Sequence, residues 1–99
     1  MNDITRYVLS DIAEFDIGDI YDYTLANHGA AQAATYLTGL DTAFEQLIDN
    51  PMSGKERPEI RAELRSIIYN HHTVFYRIMD THIRIVRVLH SSRDMPRHF

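Results

Sequence analysis

Between Arg65 and Asp94 the chain gathers the side chains that could act on a phosphate: Arg65, Arg77, Arg84 and Arg87, with Tyr76 and His90 beside them. Cleavage of RNA by acid–base chemistry needs cations to hold the scissile phosphate and offset developing charge. It also needs a base for the 2′-hydroxyl and an acid for the leaving oxygen. Tyr76 and His90 could fill those last roles. An opposite reading has the arginines lay their stems on apolar surface and pair with Asp80, Asp94 or a partner.

Other chemistry finds less support. His71 and His72 are adjacent, so on extended backbone their side chains point to opposite faces. His82 and His90 mark the two ends of one strand, roughly 25 Å apart. With no His-x-x-x-His pair and no cysteine, no metal site and no cofactor are expected. Ser66, Ser91 and Ser92 occur without a nucleophile elbow. Binding without chemistry is the remaining class. Tyr21 and Tyr23 lie among acids, and Ser91 to Phe99 mixes Met95 and Phe99 with charges, as interface anchors do.

These residues need a frame. Arg6 to Leu9 reads as a short edge strand, followed by Ser10 as a helix N-cap. Ala13, Ile17, Ile20 and Thr24 recur at helical spacing, with Ile12, Phe15 and Tyr23 widening the stripe and Asp16, Asp19 and Asp22 away from its centre. This predicts a first helix over 11–27, stopped at Asn27-His28-Gly29. A second helix over 30–48 buries Ala33, Leu37, Leu40, Phe44 and Leu47. The one-glycine link makes the two an antiparallel hairpin. Asp49-Asn50-Pro51 ends it, and 51–58 is a loop. Strands follow over 64–69, 73–79 and 82–89, turned at Asn70-His71 and Asp80-Thr81. In the last strand Ile83, Ile85, Arg87 and Leu89 should share one face. The fold class is α+β: a helix hairpin on a small twisted antiparallel sheet of three to four strands.

The 99 residues suit a single domain, and 44% apolar content argues against disorder. Residues 1–50 carry nine acids and one base, and residues 51–99 nine bases and five acids, so a net charge of −4 hides a strong asymmetry. The acidic half weakens attraction to nucleic acid. No apolar stretch is long enough to span a membrane, no secretory leader is visible, and the lack of cysteine suits a cytoplasmic protein.

Several segments, taken in order, resemble the RelE/ParE toxin superfamily, and its ParE branch in particular. They are Leu9 to Tyr23, Gly29-Ala-Ala-Gln-Ala33 with Tyr36-Leu37 and Leu40, the Pro51-x-x-Gly54 loop, Glu59-Ile-Arg61 with Leu64-Arg65, Phe75-Tyr76-Arg77, Ile85 to His90, and Asp94. The resemblance covers nearly the whole chain. It implies a toxin of a type II toxin–antitoxin module that inhibits DNA gyrase and arrests growth. It also implies neutralisation by a ParD-like antitoxin, in a complex of two toxins and two antitoxins that meets operator DNA only through the antitoxin.

The RelE branch instead cleaves mRNA on the ribosome, using a basic loop and a late tyrosine. This chain departs from that pattern. No tyrosine follows Tyr76, and Lys55, Arg57 and Arg61 are diluted by Glu56, Glu59 and Glu63. His90 keeps the nuclease reading open. On the resemblance, Arg87, His90, Arg93, Asp94 and Met95 contact the target, and Arg65, Arg77, Arg87, Tyr21, Tyr36 and Leu40 bind the antitoxin.

Overall fold

A computed structural model describes residues 3–92. The elements are β1 (Arg6–Leu9), α1 (Asp11–His28), α2 (Ala30–Asp49), a 3-10 turn (Pro51–Ser53), β2 (Lys55–Glu56), β3 (Arg65–Tyr69), β4 (His72–Ile78) and β5 (His82–His90). The helix hairpin packs on one face of a five-stranded sheet ordered β1-β5-β4-β3-β2.

The expected α+β layering and the edge strand at Arg6–Leu9 hold, but the sheet has five strands instead of three to four and is mixed instead of antiparallel. β1 pairs with β5 in parallel, because the whole hairpin and meander lie between them in the chain. β2 is only two polar residues long, paired with Arg65 and Ser66, so no apolar alternation marked it inside the expected loop.

Ser10 starts α1 by accepting from the Ala13 N–H at 3.0 Å, while its own hydroxyl donates to Val86 O at 2.8 Å. The cap therefore also fastens α1 to β5. Gly29 takes φ 88°, in the left-handed region, and its N–H donates to Leu25 O as the chain reverses into α2.

The main core joins Ala13 and Ile20 of α1, Leu40, Phe44 and Leu47 of α2, and Val74, Tyr76, Ile83, Ile85 and Val88 of the sheet. On the opposite sheet face Leu64, Phe75 and Leu89 form a second cluster, with Ile60 and Val86 packed against it. Arg57 lies over the Phe75 ring, 5.6 Å from its centroid.

Two expectations about faces fail. In β5, Phe75 pairs with Arg87 but Tyr76 pairs with Ile85, leaving Val86 as the extra residue of a bulge. A bulge shifts the side-chain alternation. Ile83 and Ile85 accordingly share the main core with Val88, while Leu89 joins the other cluster. On α1, Ile12, Phe15 and Tyr23 do not widen the buried stripe: they are 55%, 69% and 66% exposed. Asp16 takes a buried place in that stripe instead, between Ala13 and Ile20.

Candidate functional site

Two regions hold the chemistry-bearing side chains, at opposite ends of the central strands. The first surrounds Tyr76. Its ring is fully buried, and its hydroxyl donates to Pro51 O at 2.6 Å and accepts from the Gly54 N–H at 2.9 Å. Burial raises its pKa above the ordinary phenol value. A Cβ on Gly54 would lie 2.3 Å from that hydroxyl, which explains glycine in the Pro-x-x-Gly loop. Arg65 donates to Gly54 O at 2.8 Å and lies 3.7 Å from Glu56. Arg77 pairs with Glu63 at 2.8 Å. Glu56 and Glu63 take the place of the Asp80 expected from sequence, while Asp94 lies outside the described residues. Tyr76 is thus a clamp on the loop, with its proton already committed.

The second region is a groove of about 930 Å³ between α1, the start of α2 and the far ends of β4 and β5. Its floor includes Ile20, Val88 and Leu89, and its α1 wall carries Phe15, Asp19 and Tyr23. Asp16 holds Arg87 through both carboxylate oxygens, at 2.9 Å each, and accepts from the Val88 N–H at 3.0 Å. The carboxylate raises the pKa of the guanidinium. Such a bidentate pair, with Asp16 buried, joins α1 to the bulged strand.

At the other end of the groove three imidazoles gather, a grouping that sequence reasoning missed. His71 stacks on His90 with centroids 6.4 Å apart, and His72 meets His90 edge-on at 5.4 Å. The alternation argument failed for His71 because it sits in the β3–β4 turn, outside both strands. The Tyr36 hydroxyl is hydrogen-bonded to His72 Nδ1 and donates to Tyr69 O at 3.4 Å, and its ring lies edge-on to Tyr69. Burial, then the charges of His90 and His71, push the His72 pKa down to about 4, and burial first of all pushes Tyr36 up to about 12. His90 Nδ1 accepts from the Ser92 N–H at 3.2 Å and its hydroxyl at 2.7 Å, which leaves the proton of a neutral ring on Nε2. No group of three or more His, Cys, Asp or Glu among the described residues is arranged to hold a metal ion.

The sequence-predicted residues therefore separate. Arg87, His90 and Tyr36 line the groove, whereas Arg65 and Arg77 do not. Tyr21 is half-buried on α1 outside the groove lining, and Leu40 is 1% exposed within the core. Arg93, Asp94 and Met95 lie outside the described residues. No helix among the described residues is long and apolar enough to cross a membrane.

This arrangement of hairpin and sheet is shared with a solved chain from the chromosomal ParDE TA system of P. aeruginosa. The TM-score is 0.77 at 17% identity, covering 91% of this chain and 98% of that one. Residues 7–95 match the family described as ParE toxin of type II toxin-antitoxin system, parDE. The chain is 37% identical over 94 residues to Toxin ParE1 of Mycobacterium tuberculosis, covering 94% of this chain and 96% of the relative. It is 35% identical to Toxin ParE1 of Caulobacter vibrioides, covering 93% and 95%, and 31% identical to Toxin ParE of Escherichia coli, covering 93% and 90%. The chain belongs to the ParE toxin family, within the RelE/ParE superfamily.

Proposed function

We propose that this chain is the toxin of a type II toxin–antitoxin module, that it inhibits DNA gyrase in the cytoplasm by binding rather than by catalysis, and that a cognate antitoxin neutralises it. The reading rests on family membership across nearly the whole chain. The site supports it in a second way. A ribonuclease of the RelE type needs available cations and a mobile proton, yet Tyr76 is buried against Pro51 and Gly54, and Arg65 and Arg77 already have partners. The toxin would sit in a complex of two toxins and two antitoxins and reach operator DNA only through the antitoxin.

Target contacts are assigned to Arg87 and His90 at the open end, and to Arg93, Asp94 and Met95, which lie outside the described residues. Antitoxin contacts are assigned to Tyr36 and Arg87 in the groove and to Tyr21 beside it. Arg65, Arg77 and Leu40 contribute by shaping the fold beneath these surfaces. The test is a purified gyrase supercoiling assay run beside ribosome-dependent mRNA cleavage. Loss of supercoiling without RNA cleavage is expected; RNA cleavage with untouched supercoiling would replace this reading by the ribonuclease one.

A further inference from the structure

The outer face of α1 does not look like the outside of a finished molecule. Four large apolar side chains on this one helix are exposed, Ile12, Phe15, Tyr23 and Leu25, and none on α2. Gly18 stands mid-helix, where glycine is unfavourable, and a Cβ there would meet nothing within 4 Å. Packing among the described residues therefore accounts for neither the exposed apolar side chains nor the glycine.

Charge narrows what could cover this face. α1 carries Asp11, Glu14, Asp16, Asp19 and Asp22, and no lysine or arginine. Only Asp16 has an ion-pair partner among the described residues. A second copy placed on this face would set these carboxylates against their own kind, and a nucleic acid would be repelled. Phe15, Asp19 and Tyr23 fall at successive four-residue steps, so they form one row along the groove wall. A carboxylate between two exposed aromatic rings suits an arginine or lysine, which would gain an ion pair and ring contacts together.

We infer that this groove wall receives the toxin-binding segment of the antitoxin through a basic side chain seated on Asp19 between Phe15 and Tyr23, with neighbouring apolar side chains on the groove floor. This rests on the toxin–antitoxin reading above. It adds a carboxylate to the antitoxin contacts expected from sequence, whose only charged members were the arginines Arg65, Arg77 and Arg87.

The test is calorimetric titration of the full chain with the full-length antitoxin encoded beside its gene. Asp19→Asn should weaken binding about tenfold and flatten its salt dependence, and Asp19→Lys should weaken it further. Asp49→Asn, an equal change in charge at the end of α2, should leave affinity within about twofold. Thermal melting of both Asp19 variants should match the parent, because Asp19 is exposed and makes no ion pair among the described residues. Unchanged affinity of both Asp19 variants, or tighter binding by Asp19→Lys, would overturn the inference while leaving the toxin–antitoxin reading intact. Failure of the unaltered chain to bind would overturn both.

Discussion

The two ends of the central strands use similar side chains to opposite effect. At the loop end, a tyrosine and two arginines are spent on their own fold: Tyr76 on Pro51 and Gly54, Arg65 on Gly54, Arg77 on Glu63. At the groove end, the Asp16–Arg87 pair fastens the frame, but Phe15, Asp19 and Tyr23 on the α1 wall are exposed, and their side chains make no hydrogen bond, ion pair or ring contact among the described residues. Residue type alone therefore does not identify a site in this fold. What separates the two ends is whether hydrogen-bonding capacity is already satisfied within the chain.

Substitutions can break this contrast, and the largest effect should come from the pair between the layers. Asp16→Ala leaves a half-buried guanidinium and the Val88 N–H uncompensated, and should cost about 3–5 kcal/mol in urea unfolding. A loss below about 1 kcal/mol would mean that Arg87 finds water easily, placing it with the open groups instead.

Tyr76→Phe comes next. It removes the acceptor for the Gly54 N–H and the donor to Pro51 O, for an expected loss of about 1–3 kcal/mol. Gly54→Ala should destabilise by a similar amount, because its Cβ has no room beside a ring locked in the core.

The imidazole cluster gives a smaller, pH-dependent effect. With a folded pKa of about 4 against 6.5, His72 takes up its proton more readily when unfolded, so the stability it contributes is present above about pH 6.5 and lost as pH falls toward 4. The group is partly solvated, so the loss should be about 1 kcal/mol. Chemical denaturation from pH 7 to pH 4 should show it in the parent and less of it in His72→Gln. Identical pH profiles would remove the cluster from the titrating part of the fold.

Phe15→Ala should change stability least, within about 0.5 kcal/mol, since the ring is 69% exposed. Its effect belongs in antitoxin affinity. A large drop in melting temperature would move Phe15 into the structural class.

The frame was legible in the sequence because helical periodicity and turn chemistry are local. Ser10, Gly29 and Pro51 mark boundaries that the structure places within a residue or two. The failures all involve partners distant along the chain. The bulge at Val86 is set by pairing with β4, so the face of Leu89 could not be read from β5 by itself. Asp16 looked like a surface acid because its partner, Arg87, lies 71 residues away. His71, His72 and His90 converge only when β4 pairs with β5. Phe15 was assigned to the buried stripe, and Tyr23 both to that stripe and to an exposed anchor, because a helix pattern does not reveal which side of a wide apolar stripe the sheet covers. An excess of apolar residues around α1, compared with the one-sided α2, was the available signal.

The central claim is that the open end meets partners while the loop end only holds the sheet together. Gyrase supercoiling by purified, folded Tyr76→Phe and His90→Ala toxins tests it most directly. The account predicts that Tyr76→Phe inhibits as the parent does per folded molecule, while His90→Ala inhibits about tenfold less well, as loss of one good contact would give. Full inhibition by His90→Ala together with none from folded Tyr76→Phe would contradict it.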